Sequence, residues 1–388
     1  MNIETKLAPL SEAFIPDAVE KAVAINASCL DDYTTDFKYS HSENGFYPRS
    51  GNTEWTTGFW TGQLWLCYSL TGDERFRNAA LVQVDSFLER IEKKIDVEHH
   101  DMGFLYSPSC VAAYKHTGSE TGRKAALLAA DNLISRFHEK GQFIQAWGSL
   151  ENRKEYRLIV DCLLNLPLLY WASATTGDGK YSDIAGRHFN TALSCVLRPD
   201  GSTYHTYYFD PETGSPLRGV TAQGNRDGSP WARGQAWAVY GSALGYSKTG
   251  SSLALSVFHR TLDFFLSHLP EDIIPYWDFD FTNPSTEPRD SSALAIVICG
   301  MMEAGDAIGG EEGRKLHELA LRLLSRLYEK CAVKDATVSN GLLLHGTYAR
   351  KSATNTCRNR GVDECNIWGD YYYLEALARA EGKWEAYW

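Results

Sequence analysis

Apolar residues recur along this chain in a two-beat pattern. An apolar stretch rich in small residues opens at a polar or aromatic residue and stops at Gly, and an amphipathic stretch of 3.6-residue period follows. The first beat appears six times: TGFWTGQLWLCYSLTGD (57–73), MGFLYSPSCVAAYKHTG (102–118), DCLLNLPLLYWASATTGD (161–178), RGQAWAVYGSALGYSKTG (233–250), DSSALAIVICGMMEAGD (290–306) and NIWGDYYYLEALARAEG (366–382). Each ends at or beside Gly, the residue that closes a helix in a left-handed conformation. The stretches after the first five, such as ERFRNAALVQVDSFLERIEKK (74–94) and EEGRKLHELALRLLSRLYEKC (311–331), keep a charged outer face. IPDAVEKAVAINASCLDDY (15–33) supplies a sixth of this kind ahead of the first apolar segment. Six inner helices ringed by six outer ones make an all-α (α/α)6 toroid. No linker or low-complexity segment interrupts it, so residues 1–388 are read as one domain. Strand signals are weak and short, as in STYHTYYFD (202–210), and fall in loops. The loops before the third to sixth inner helices are the long ones, which is where a cleft belongs.

Composition adds a chemical direction. Hydrophobic residues make up 44% and charged residues 22%, which suits a chain with a substantial core. Aromatic content is 12%, with 11 Trp and 21 Tyr, enough for a bulky core and also for ring faces that stack on sugars. A net charge of −11 argues against nucleic acid as a partner, since phosphates require clustered Lys and Arg. An acidic small substrate would need local cations, so an Arg among aromatics becomes informative. Nine Cys without C-x-x-C pairs read as reduced core thiols. The N-terminus lacks a basic and then apolar leader, and no apolar run approaches a membrane span. The expected location is cytoplasmic, with no membrane partner. Oligomeric state is left open.

Because all six inner helices run the same way, their N-termini share one rim. The residues there are Glu54 and Trp55, His100 and Asp101, Asp161, Trp231 and Arg233, Arg289 and Asp290, and Asp363 and Glu364. Carboxylates at helix N-termini also serve as caps, so position alone does not make them chemical. Asp161 differs, because RLIVDCLLNLPLL buries one carboxylate in a nearly continuous apolar run. Such a group holds its proton to higher pH, as a general acid requires, and a second carboxylate nearby, best supplied by Asp101, strengthens the effect. Arg233 lies between Trp231 and Trp237, with Gln223 and Gly228 ahead of it. It suits either bidentate pairing with a sugar carboxylate or a structural pair with a rim Asp. His99 and His100 find no third ligand at a suitable spacing, so neither metal nor cofactor is expected. A phosphate loop and a G-x-S-x-G elbow are both missing.

HHDMGF (99–104), DCLLNLPLL (161–169), SPWARGQAWAVYG (229–241), RDSSALAI (289–296) and GVDECNIWGDYYYLEAL (361–377) together resemble the unsaturated glucuronyl hydrolases, glycoside hydrolase family 88. The resemblance runs from about Trp55 to the C-terminus. It implies release of a 4,5-unsaturated uronate from the non-reducing end of lyase-generated oligosaccharides, by hydration of the C4=C5 vinyl ether. Asp161 matches the family's proton donor, and Asp101 the second Asp, which holds sugar hydroxyls and influences Asp161. By the same carry-over Trp55, His100, Trp147, His205, Gln223, Arg233 and Trp237 line the pocket. One segment departs from the family pattern. RKSATNTCRNR (350–360) stands where relatives acting on sulfated fragments carry Ser and Lys, so Lys351 and Arg358 become candidates for sulfate, with a solvated loop as the plainer reading. Unsaturated rhamnogalacturonyl hydrolases share the toroid and the Asp pair but are less similar around Arg233. A sugar epimerase on the same toroid and a silent sugar-binding protein are the readings from other classes.

Overall fold

In the computed structural model, which describes residues 3–388, twelve helices carry the architecture. In chain order they are α1 (Ile15–Ser28), α2 (Thr57–Thr71), α3 (Glu74–Glu92), α4 (102–117), α5 (Glu120–Ile134), α6 (Pro167–Thr176), α7 (Lys180–Val196), α8 (Ala232–Thr249), α9 (Ser252–His268), α10 (Ser291–Ile308), α11 (Gly310–Cys331) and α12 (Ile367–Ala380). Even-numbered helices form the inner ring of an (α/α)6 toroid and odd-numbered ones the outer ring. The ring closes where α12 packs on α1 and α2.

The two beats of the sequence correspond to two burial regimes. In α8 every residue from Ala232 to Gly245 is buried. In α11 only one face is, carried by Ala320, Leu323, Leu324, Leu327 and Cys331, so the hydrophobic effect alone sorts inner from outer. The α10 helix is long and apolar enough to cross a membrane, yet 78% of it is buried within the ring. Gly72, Gly118, Gly177 and Gly250 close four of the inner helices in the left-handed region.

Two inner helices depart from the uniform pattern, and both departures trace to proline. Pro108 has no N–H to donate inside α4, and Ser107–Val111 widens into a π turn in which Ser109 Oγ bonds Leu105 O. The segment from Asp161 is not α-helix from its start. Val160–Leu164 is a 3-10 turn, and α6 begins only at Pro167, where the missing N–H costs nothing. The α10 helix also runs past Gly305 to Ile308. Gly305 is there because a Cβ would meet His317 at 2.7 Å.

The strand signal at 202–210 becomes Thr206–Phe209, the centre of a three-stranded sheet with Arg157–Ile159 and Pro216–Val220. A ribbon of Gly346–Ala349 with Arg360–Glu364 was not signalled by the sequence pattern. At the start of α4 the backbone lies so close to the Val160–Leu164 turn that a Cβ on Gly103 would stand 2.3 Å from Asn165 Cα.

Far-UV circular dichroism should be dominated by helix; a sheet-dominated spectrum would contradict the toroid. Gly103→Ala should lower stability by about 1–3 kcal/mol, the range for overpacking, read from the thermal or denaturant midpoint.

Candidate active site

Asp101 occupies the N-cap position of α4, and its side chain makes no capping bond. The carboxylate is therefore free for other work. The segment before it is tied to 146–148, with His100 N donating to Ala146 O (2.8 Å) and Gly148 N to Glu98 O (3.1 Å). Asp161 arrives on the 3-10 turn that follows the Arg157–Ile159 strand. Gly103 lets the two segments approach, and Phe104 N donates to Asn165 Oδ1 (3.0 Å) across the seam. The result is a trio in which His100 and Asp101 are buried and Asp161 is partly exposed. His100 Nε2 lies 3.4 Å from Asp101 Oδ1 and 3.2 Å from Asp161 Oδ1, and Asp101 Oδ2 lies 3.1 Å from His99 Nδ1.

The two carboxyls are pushed apart electrostatically. Burial raises the pKa of Asp161, the Asp101 charge adds to this, and His100 opposes both without cancelling them. Burial also favours the neutral form of Asp101, but His100, His99 and the Trp147 indole outweigh it, and the net direction is down. For His100 burial acts downward, and the two carboxylates prevail, so its pKa is raised. Asp161 is thus the carboxyl that keeps a proton to higher pH. One oxygen of each Asp and a His100 nitrogen lie within 4.8 Å of one another, and these are the donors a cation would meet there.

Around this trio a narrow cavity is walled by Trp55, Trp147, His205, Gln223, Trp231, Arg233, Trp237 and Tyr348. Trp55 stacks on Trp368 (5.4 Å, 23°) and donates Nε1–H to Tyr348 Oη (2.9 Å). Trp147 is 40% exposed and forms the accessible ring at the mouth. His205 accepts the Ala222 N–H at Nδ1 (2.8 Å), which leaves Nε2 to carry the proton. Burial, with Arg233 and Arg157, pushes its pKa down to about 3, so it is a neutral donor.

Arg233 behaves differently from its reading as a fork for a ligand carboxylate. Its Nη1 donates to Asp290 Oδ2 (2.9 Å) and Thr347 O (2.6 Å), and its Nη2 to Tyr348 O (2.6 Å). The guanidinium also lies over Trp231 and Trp368. A cation buried to this depth needs a counter-charge and hydrogen bonds of its own, so the pair with rim Asp290 is the arrangement found. Arg233 still lines the cavity as a fixed positive charge.

A wider cleft continues outward, sharing Trp55, Asp101, Trp147 and Tyr348 and adding Thr53, Glu54, Asp96, Glu98, His99 and Gly148. The structure does not bring Lys351 and Arg358 into either cavity. Ser352 and Thr354 bond Asn225 O and Asn355 bonds Gly224 O, which pins the 350–360 loop against the Gln223 segment. Lys351 Nζ donates to Asn355 O, while Arg358 is exposed. Arg350 pairs with Glu287 and Arg360 with Glu54. Three rim residues turn out structural: Arg289 pairs with Asp272, Asp363 with His345, and Glu364 accepts from Ser42 and from the N–H groups of Asn44 and Gly45. Two lining residues were missed as site residues. Trp231 was visible as a rim aromatic, whereas nothing in HGTYA marks Tyr348.

Residues 26–248 match the sequence model of Glycosyl Hydrolase Family 88. Over 381 residues the chain is 45% identical to an unsaturated chondroitin disaccharide hydrolase of Streptococcus pneumoniae, covering 98% of this chain and 95% of that protein. Its fold is similar to the crystal structure of an unsaturated glucuronyl hydrolase from Streptococcus agalactiae, with TM-score 0.93, 44% identity and coverage of 98% and 95%. A variant of that enzyme complexed with dGlcA-GalNAc6S matches with TM-score 0.86, 40% identity and the same coverage. The family motifs and this extent of similarity agree with the Asp101–Asp161 pair, and the chain belongs to glycoside hydrolase family 88.

Proposed function

We propose that the protein is an unsaturated glucuronyl hydrolase, which releases the 4,5-unsaturated uronate from the non-reducing end of small lyase-generated oligosaccharides, glycosaminoglycan disaccharides foremost. The carrying observation is the trio within 4.8 Å. One imidazole lies 3.4 and 3.2 Å from an oxygen of Asp101 and Asp161, and their pKa values are pushed in opposite directions, which suits a mechanism with one tuned carboxyl. Similarity to the S. pneumoniae and S. agalactiae enzymes supports the same substrate class.

In this mechanism the uronate ring lies among Trp55, Trp147, Trp231 and Trp237, and Asp101 holds its hydroxyls. Asp161 gives its proton to C4, and water adds at C5. The Asp161 carboxylate takes a proton from that water and is restored. The C5 hemiketal then opens at its C5–O5 bond to leave a hemiacetal at C1, which collapses to the aldehyde as the C1–O glycosidic bond breaks and its oxygen leaves with a proton, releasing the keto sugar acid. His205 offers Nε2–H to the ring substituents, and Arg233 favours the substrate carboxylate as a fixed charge rather than as a fork. Nine free thiols, eight of them buried, suit a reducing cytoplasmic setting.

Loss of the ultraviolet absorbance of the conjugated alkene follows turnover directly. Asp161→Asn should reduce turnover by at least roughly 10²- to 10⁴-fold, the span of general acid–base catalysis, with substrate binding largely kept. A variant near wild-type rate would remove Asp161 from the mechanism.

The wild-type rate should fall as pH rises through the elevated pKa of Asp161, because the acid form is then lost. His100 is the strongest influence holding that pKa down, so His100→Gln should shift the alkaline limb of residual activity to higher pH. A limb that stays put or moves down would assign the restraint elsewhere.

The basic loop lies outside both cavities but is pinned beside the Gln223 segment of the inner one, so its charges can act on a sulfate near the mouth. Replacing Lys351 and Arg358 with Ala should raise KM for a sulfated disaccharide by up to about tenfold, given roughly 1.5–3 kcal/mol for a charge-assisted bond reduced by exposure. KM for the unsulfated one should change little. Equal effects on both would make the loop structural.

A further inference from the structure

With the uronate in the inner cavity, the wider cleft that shares Trp55, Trp147 and Tyr348 with it is open to the sugar that leaves. The charges on that cleft are unevenly neutralised. Glu54 has Arg360 at 3.2 Å, whereas Asp96 and Glu98 are exposed and form no ion pair with any described residue. Nearby cations are engaged elsewhere: Lys94 Nζ donates to Asn132 Oδ1 (3.1 Å). Arg136, whose charge Glu98 influences, directs its N–H groups to Gln145 O and Gly148 O.

The wall is also held in place. Lys94 and Asp96 both take positive φ (55° and 46°), which turns the chain sharply between α3 and the His99–Asp101 segment. Asp96 O accepts from Arg90 Nη2 (2.8 Å) and lies 3.0 Å from His99 Nε2, while Glu98 O accepts from Gly148 N. The main chain at both residues is thus tied to the catalytic segment and to the Trp147 segment.

We infer that the Asp96–Glu98 wall sorts leaving sugars by charge, disfavouring a sulfate that points at it and admitting hydroxyl, acetamido or ammonium groups there. Position of sulfation matters more than its number. This inference rests on the hydrolase reading above.

The test uses the full-length protein and a panel of unsaturated uronyl-hexosamine disaccharides, unsulfated and monosulfated at each available position. Wild type is compared with the double variant Asp96→Asn, Glu98→Gln, whose surface positions should leave the melting temperature nearly unchanged. For at least one isomer, the ratio of kcat/KM for sulfated over unsulfated substrate should rise roughly threefold or more in the variant at low salt. In about 0.5 M NaCl that gain should shrink toward nothing, since screening removes an electrostatic barrier between exposed charges. A ratio unchanged for every isomer, or a gain that survives salt, would overturn the charge-sorting wall while leaving the hydrolase intact. Failure of the wild type to bleach even the unsulfated substrate would instead bring down the hydrolase reading and this inference with it.

Discussion

Two carboxyls and one imidazole meet at the mouth of the ring, His100 and Asp101 buried and Asp161 partly exposed, and the surrounding architecture makes that arrangement tolerable. An isolated charge in such a place would be prohibitively unfavourable, and removing one partner of a buried pair typically costs about 3–5 kcal/mol. His100 lies between Asp101 and Asp161 and stabilises whichever is ionised, so the trio holds together without full neutralisation. What remains uncompensated falls on Asp161, and that residual desolvation is the source of its acid character. The close approach at Gly103 and the bond from Phe104 N to Asn165 keep the trio from relaxing apart.

A second buried pair, Arg233 with Asp290, stands beside the first and ties three inner elements together. Arg233 comes from α8, Asp290 precedes α10, and the carbonyls of Thr347 and Tyr348 belong to the ribbon before α12. Because the guanidinium is held by Asp290 and two carbonyls, it acts on the cavity as a fixed charge and through the aromatic rings it lies over, Trp231 and Trp368. Its rigidity is therefore part of the site. Tyr348, placed by the same ribbon, receives the Trp55 indole N–H and closes the wall between the two cavities.

The twelve-helix ring and the rim loops divide the labour. Inner helices are uniform, buried on all sides and closed by Gly, and they fix only where their N-termini converge. The loops decide what meets there, through the turn at Lys94–Asp96, the sheet that delivers Asp161 and His205, and the pinned 350–360 segment. Specificity toward the leaving sugar can accordingly vary without disturbing the acid.

Periodicity alone determined the number, order and inner or outer placement of the helices, because burial on all sides and burial on one face leave different hydrophobic patterns. The apolar run around Asp161 likewise announced a perturbed carboxyl, and family motifs marked Asp101, His100, Trp55, Trp147, His205, Gln223 and Trp237 for the same rim. The proline effects in α4 and before α6 were written in Pro108 and Pro167 but lay beneath the helical period. Only the tertiary structure decided who partners whom. That Arg233 turns to Asp290, that Tyr348 completes the cavity and that Asp96 and Glu98 find no ion-pair partner among the described residues all depend on how segments far apart in the chain come together. Local pattern carries no record of such contacts, since a charged side chain looks the same in sequence whether its counter-charge is a ligand, a distant Asp or water.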